Sequence, residues 1–240
     1  MAFSSRFKVS AYNEHYEGEY PEREIVWRKI CARDKSSNLK TLLGDRPVEN
    51  VLEVGCGTGA VLAAVKELGV GSSHIGVDYA DPSKHLDPQA RDLDLKQYDG
   101  KRLPFPDRSF DLVFASHVVE HVPEPRGFIE EMARVSRKFV YTEVPCELHL
   151  RTSFPAMQRS LNIGHINAYS PESFLLLLQT SGLDVEKLDI FDHSSEVHAF
   201  QKGKAKAAIS QTLRRSLLSI DRALASRVFT YHCGALATVS

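Results

Sequence analysis

The apolar positions of this chain change period several times, and the changes divide it into alternating strands and helices. Short apolar runs occupy residues 50–54, 74–78, 110–115 and 138–144, and they end near glycine, aspartate or proline. Between them, residues 59–68 and 125–136 carry apolar side chains at helical spacing. Runs of the first kind read as buried strands and stretches of the second kind as amphipathic helices. Strand and helix alternating in this way predict a mostly parallel sheet with helices on both faces. Residues 93–98 alternate as a strand would, although acids crowd them. Pro21 opens an N-terminal helix whose apolar residues Ile25, Ile30, Leu39, Leu42 and Leu43 run up to Gly44.

The second half continues the pattern. Ser170-Pro171-Glu172 starts a helix over 171–181, Gly182 stops it, and 183–190 follow as a sixth strand. The run over 227–239 is expected to form the last strand. Ile209, Leu213, Leu217, Ile220 and Leu224 recur at spacings of three and four, predicting an inserted amphipathic helix over 204–226. Lys202, Lys204, Lys206, Arg214, Arg215, Arg222 and Arg227 face one acid, Asp221, in that stretch. It reads as the solvated face of a helix packed on the sheet, with docking of an anionic partner as the second reading. The connection over 145–168 is long enough to suggest a function. Residues 1–20 lack a period and read as a loosely ordered cover.

With 240 residues the chain is expected to form one domain. Thirty basic and 31 acidic residues give a net charge of −1, so no global basic footprint marks nucleic acid as a partner. No apolar run approaches the ~20 residues of a bilayer span. The first residues lack the apolar core of a secretion signal. Cys31, Cys56, Cys146 and Cys233 include no Cys-x-x-Cys pair, and reduced thiols in a cytoplasmic protein are expected.

The chemistry starts at residues 51–59, Val-Leu-Glu-Val-Gly-Cys-Gly-Thr-Gly. A strand, a glycine turn and a helix start of this kind let a ligand approach the backbone closely. Gly55-x-Gly57-x-x-Ala60 also satisfies the looser dinucleotide fingerprint. Two acids narrow the ligand. Glu53 would repel a pyrophosphate and suits an ammonium or sulfonium group. Asp78, about 20 residues beyond the glycines, is placed to take ribose hydroxyls. Ribose with a cationic, phosphate-free tail describes S-adenosylmethionine.

Further stretches follow in order: Gly76-Val77-Asp78-Tyr79-Ala80, then Leu103-Pro104-Phe105-Pro106-Asp107, then Ser109-Phe110-Asp111-Leu112-Val113 and Ser116-His117-Val118-Val119-Glu120-His121-Val122-Pro123. On these motifs the chain resembles the class I S-adenosylmethionine-dependent methyltransferases, in particular the small single-domain group. The resemblance implies a Rossmann-like, seven-stranded sheet whose last strand is antiparallel and inserts between strands 5 and 6. It places Glu53, Gly55, Cys56 and Gly57 at the cofactor, Asp78 on its ribose and Tyr79 near its adenine. Asp99 would meet the adenine amino group with Gly100 alongside, while Ser116 and His117 would face the methionine end.

Methyl transfer requires chiefly alignment and exclusion of water. A base helps when the acceptor is a hydroxyl or protonated amine. His165, before Tyr169-Ser170, is the leading candidate, ahead of His149 and His117. Arg33, with Asp34 and Lys35, reads as a surface ion pair sooner than a cofactor contact. No compact His, Asp and Glu group stands out, so no metal is expected. The function expected is methylation of a small or medium-sized acceptor at oxygen, nitrogen or carbon. The alternatives are a nicotinamide-dependent oxidoreductase and a non-catalytic binder of the same cofactor.

Overall fold

The computed structural model describes residues 22–239. The cover expected at 1–20 lies outside them. Helix α1 (Glu22–Leu43) leads into β1 (Asn50–Val54), α2 (Ala60–Glu67), β2 (Ser73–Asp78) and β3 (Asp94–Gln97). Then come β4 (Phe110–Ser116), α3 (Pro125–Val135), β5 (Ser136–Pro145) and α4 (Phe154–Asn162). The chain continues through α5 (Pro171–Thr180), β6 (Asp184–Phe191), α6 (Ser195–Lys202), α7 (Lys204–Ile220), α8 (Arg222–Val228) and β7 (His232–Thr238).

One sheet holds the strands in the order β3-β2-β1-β4-β5-β7-β6. β1 pairs in parallel with β2 and β4, and β7 runs antiparallel to both β5 and β6. Strand alternation sorts side chains into two apolar layers. Val51, Leu112 and Phe114 pack with Leu39, Leu43, Leu62 and Val65 of α1 and α2. Leu52, Val54, Val113 and Ala115 pack with Ile129, Met132, Phe174 and Leu178 of α3 and α5 on the other face. The strand order reverses between β1 and β4, which opens a crevice at their carboxyl ends.

Three expectations are corrected. The last strand begins at His232, because residues 222–228 close a helix that the Asp221 side chain caps through the Leu224 N–H at 2.9 Å. The connection over 145–168 contains a helix of its own, α4. The amphipathic stretch is two helices, and its aliphatic stripe does not face the sheet. Ile209 is 77% exposed and Ile220 79%, while Ala207, Gln211 and Arg214 are buried instead.

Arg214 explains the orientation of α7. Its Nε donates to Asp192 Oδ1 at 2.8 Å and its Nη2 to the Thr230 carbonyl at 2.6 Å. Its guanidinium also lies 4.2 Å from the Tyr231 ring centroid. Arg222 pairs with Asp189 and Arg227 with Glu172, so part of the positive excess is spent inside the fold. Removing one partner of a buried ion pair strands the other charge. Arg214→Met should therefore cost about 3–5 kcal/mol by denaturant titration. A loss below about 1 kcal/mol, the level of an exposed pair, would show that this contact does not hold α7 to the sheet.

Candidate active site

At the carboxyl end of the sheet lies a cavity of about 1940 Å³. Pockets for a single small ligand run to roughly 300–1,000 Å³, so this one has room for two. It extends from the glycine loop after β1 to Glu147 and His165 beyond β5. All eleven residues expected at the site line it.

The glycine loop satisfies its own backbone. Gly55 and Cys56 donate to the Val77 carbonyl at 2.8 and 3.1 Å, Gly57 to Asp78 Oδ2 at 2.7 Å, and Gly59 to the Cys56 carbonyl at 2.8 Å. Four N–H groups that could have cradled a phosphate are thus committed. The glycines have separate reasons. A Cβ on Gly55 would meet Val118 Cγ2 at 2.4 Å, and one on Gly59 would meet Ala90 Cβ at 2.7 Å. Over Gly57, φ +51°, the nearest protein atom to such a Cβ is Arg28 Nη1 at 3.6 Å. Cys56 reaches the cavity edge, yet its thiol is buried and held neutral by that burial and by Glu53.

Glu53 is 2% exposed, and its Oε2 has no hydrogen-bond partner. Burial pushes its carboxyl well above the usual range, against the pull of the Lys35 charge. Ser116 Oγ, also buried, is likewise unpartnered. Such groups call for a ligand with ammonium and carboxylate functions, and Lys35, on the Ser116 carbonyl at 3.4 Å, adds a cation. Arg33 instead makes an exposed pair with Glu196.

Asp78 accepts from Gly57 N through Oδ2 and from Ala80 N through Oδ1 at 2.8 Å. Burial raises its carboxyl more than these bonds lower it. Tyr79 is 54% exposed, and its ring lies over Gly100, whose added Cβ would meet it at 3.1 Å. Asp99 is exposed, and its Oδ1 accepts from Lys101 N at 2.9 Å and Arg102 N at 3.1 Å, shaping the turn. These residues form one rim of the cavity.

Beyond Ser116 the character changes to imidazole and carboxylate. His117 has φ +59°, rare for a residue with a side chain, and its N–H donates to the Glu143 carbonyl at 2.8 Å. Its Nε2 lies 3.1 Å from Glu143 Oε1 and 2.8 Å from His232 Nδ1, and His232 Nε2 lies 2.9 Å from His193 Nε2. Burial, then neighbouring positive groups, hold His117 and His232 well below the ordinary range. The ring expected at the methionine end is thus turned into a histidine cluster. His117, Glu143 and His232 have donor atoms within 4.8 Å of one another, as do Glu120, His121 and His165. The expectation that no such group lies beside the crevice is corrected.

His165 Nδ1 meets Glu147 Oε2 at 3.0 Å, and Glu147 Oε1 accepts from Ser160 Oγ at 2.7 Å. Burial is the largest influence on His165 and lowers its pKa, but the Glu147 hydrogen bond together with the Glu120 and Glu147 charges outweighs it, and the net shift is upward. Glu120 is fully buried with no hydrogen bond to either oxygen, and burial pushes it up to about 7. His149 instead holds Thr230 Oγ1 at 3.0 Å.

The Gly57 geometry gives a direct test of where the cofactor lies. Gly57→Ala should weaken S-adenosylmethionine by about tenfold or more in calorimetry, about 1.4 kcal/mol. Its melting temperature should fall less than that of Gly59→Ala, which collides with Ala90. Unchanged affinity in Gly57→Ala would move the ligand away from the loop.

Comparison with known proteins agrees with this geometry. Residues 26–188 match the family described as a methyltransferase domain. The chain is 39% identical over 98 residues to a phosphatidylethanolamine N-methyltransferase of Cereibacter sphaeroides, over 37% of this chain and 45% of that protein. It is 30% identical over 138 residues to a probable S-adenosylmethionine-dependent methyltransferase of Mycolicibacterium smegmatis, over 57% and 52% respectively. The chain thus spans about half the length of the curated relatives it matches. Phosphoethanolamine N-methyltransferase 2 of Haemonchus contortus, solved with S-adenosyl-L-methionine, shares the fold at a TM-score of 0.65 and 14% identity, over 97% of this chain and 60% of that one. With its glycine loop, buried acid and strand order in register with that match, the chain belongs to the class I S-adenosylmethionine-dependent methyltransferases.

Proposed function

We propose that this chain methylates a small amphiphilic acceptor, with His165 as the base that takes the acceptor's proton. S-adenosylmethionine supplies an activated methyl on a sulfonium when bound. Glu53, Gly57, Asp78 and Ser116 are the residues suited to hold it. The observation that carries the reading is one cavity joining that cradle to the Glu147–His165 pair.

The pair has the form of an oriented base. Glu147 fixes the Nδ1 side of His165, so Nε2 is the nitrogen available for proton transfer. Ser160 Oγ on the second Glu147 oxygen, and the His165 N–H on the Ser160 carbonyl at 3.0 Å, lock the carboxylate and the ring together. Leu150, Phe154, Met157 and Ile163 are exposed on the connection that carries the base, with Leu150 at 81%. Ile163, Arg151 and Arg159 also line the cavity. An acceptor with an apolar body and a polar head fits that mouth, and one relative is named for a phospholipid substrate.

A nicotinamide cofactor is disfavoured by the committed N–H groups of the loop. Calorimetry should show binding of S-adenosylmethionine and its demethylated product but not NAD; tight NAD binding alone would overturn the assignment. For the acceptor, labelled methyl donor supplied with a lipid extract and a polar metabolite extract should label the lipid fraction. Label confined to the polar fraction would overturn the amphiphilic reading.

The base has a signed pH dependence. His165 must be neutral to accept a proton, and its pKa is raised above 6.5. Turnover should therefore climb as pH rises through a midpoint above that value. Glu147→Gln removes the Glu147 share of that rise and leaves the Glu120 share, so the midpoint should fall. His165→Gln should lower kcat by ~10²–10⁴ with cofactor affinity nearly unchanged. An unshifted midpoint in Glu147→Gln would remove this pair from proton transfer.

A further inference from the structure

The histidine cluster on the β7 side of the cavity is not used by the reading above, and its hydrogen-bond polarity can be worked out atom by atom. His232 Nε2 and His193 Nε2 are 2.9 Å apart, so one of them donates. The other nitrogen of His193, Nδ1, lies 3.6 Å from Asp34 Oδ2. A lone pair on Nδ1 would face a carboxylate, whereas a proton there would be attracted to it. His193 therefore carries its proton on Nδ1 and accepts at Nε2 from His232. His232 is then left with a lone pair on Nδ1, pointing at His117 Nε2.

His117 poses the same choice. Its Nδ1 lies 3.5 Å from Oε1 of Glu120, whose carboxylate otherwise makes no hydrogen bond. A proton on Nδ1 faces that buried acid, and a lone pair there would repel it. With the proton on Nδ1, His117 Nε2 becomes an acceptor too. Glu143 Oε1 completes the group, because its other oxygen already accepts from Tyr141 Oη at 2.6 Å and Asn38 Nδ2 at 3.0 Å. The contacts therefore run outward: His232 donates to His193, Tyr141 and Asn38 donate to Glu143, and the Nδ1 atoms of His193 and His117 face the Asp34 and Glu120 carboxyls at 3.6 and 3.5 Å. Three lone pairs converge inward, with His117 Nε2 2.8 Å from His232 Nδ1 and 3.1 Å from Glu143 Oε1. Converging lone pairs repel unless a cation lies among them.

We propose that His117, Glu143 and His232 bind one divalent first-row transition-metal ion beside the methyl-transfer site. Two imidazoles and a carboxylate make a donor set suited to zinc or iron. His232 has on its other nitrogen the hydrogen bond that holds a metal-bound imidazole, and the Glu120 carboxyl faces the corresponding nitrogen of His117 at 3.5 Å. Ligands on a tetrahedral zinc, at ~2.0–2.1 Å from the ion, lie roughly 3.3 Å apart; His117 Nε2 is within a few tenths of an ångström of that separation from both His232 Nδ1 and Glu143 Oε1, and all three donor atoms lie within 4.8 Å of one another. All three side chains sit on strand ends, at Ser116–His117 after β4, in β5 and at the start of β7, which fixes them relative to one another. Lys35, on the Ser116 carbonyl at 3.4 Å, opposes a further positive charge, and its charge also acts on the buried Glu53 carboxyl of β1. His117 and His232 line the cavity, so the ion's remaining positions open towards the acceptor. There it would lower the pKa of a coordinated hydroxyl.

The test reads ion binding and needs no acceptor. The full chain, stripped with a chelator, is titrated with zinc by calorimetry and with cobalt by absorption, each with and without S-adenosylhomocysteine. One equivalent of zinc should bind with a Kd of about 1 μM or below. Cobalt should give ligand-field bands without thiolate charge transfer. Outer-shell changes cost about 10–100-fold in metal affinity, so His193→Ala should fall in that range and His232→Ala and Glu143→Gln should lose about 100-fold or more. The isosteric Glu143→Gln keeps the test open should His232→Ala fail to fold, and S-adenosylhomocysteine affinity and melting check each variant. Zinc bound equally by wild type and variants, thiolate charge transfer, or no zinc bound by wild type would overturn the site. Loss of zinc with S-adenosylhomocysteine binding intact separates this inference from the assignment of the cofactor.

Discussion

The loop between β1 and α2 needs somewhere to place its backbone N–H groups, and β2 supplies the place. The Val77 carbonyl takes two of them and the Asp78 carboxylate a third. This works only while Val54 stays in register with Val77, and Gly76 must lack a side chain where Cys56 Sγ would come within 3.0 Å of its Cβ. The same few atoms thus fix the loop, set the depth of the crevice and place Asp78 at its wall. A loop satisfied in this way offers little to a phosphate. What it leaves is bare space over Gly57 and a buried, unsatisfied Glu53, complementary to a ligand that is cationic and approaches closely.

This part of the molecule was legible in the sequence because it is local. Glu53, the three glycines and Asp78 lie within two strands and one turn, so period and spacing alone place them together. The motifs from 51 to 123 also sit on β1, β2, β4 and the turn after it, which are adjacent in the sheet. The histidine cluster was not legible for the opposite reason. Asp34, His117, Glu143, His193 and His232 come from a helix, three strand ends and a loop, and no pair of them has ligand spacing. They meet because β7 inserts antiparallel between β5 and β6, which puts His232 opposite Pro145 and Phe191. Insertion of the last strand was expected, but its consequence for His232 depends on where that strand begins. Reading the strand from 227 hid that register.

The helix at 204–220 shows a different limit. Its aliphatic residues have a helical period, but so do Ala207, Gln211 and Arg214. Periodicity shows that a helix has two faces and leaves open which one packs. Here the choice turns on Arg214, whose charge is matched by Asp192 and whose guanidinium covers Tyr231. Turning the stripe of Ile209 and Leu213 inward would strand Asp192 in a buried position without its partner, at a cost of several kcal/mol.

The two ends of the cavity therefore differ in how they handle charge. At the cradle, acids are buried with few partners, which stores the capacity to bind a cationic ligand. At the far end, every imidazole has a hydrogen-bonded neighbour, and the carboxylates set which nitrogen of each ring faces inward. Glu147 orients His165 by a direct hydrogen bond at 3.0 Å, while Glu120 lies at 3.5 Å from His117 with neither oxygen satisfied. Both acids stand beside the His165 ring, and Glu120 also faces His117. Glu147 makes one nitrogen of His165 a better base, while Glu120 faces the side of His117 away from His232 and Glu143. A base beside such a group would let the acceptor's proton leave in one direction while its nucleophilic atom is held from the other. That arrangement asks only for alignment of a methyl already activated, which is all the rest of the site is shaped to provide.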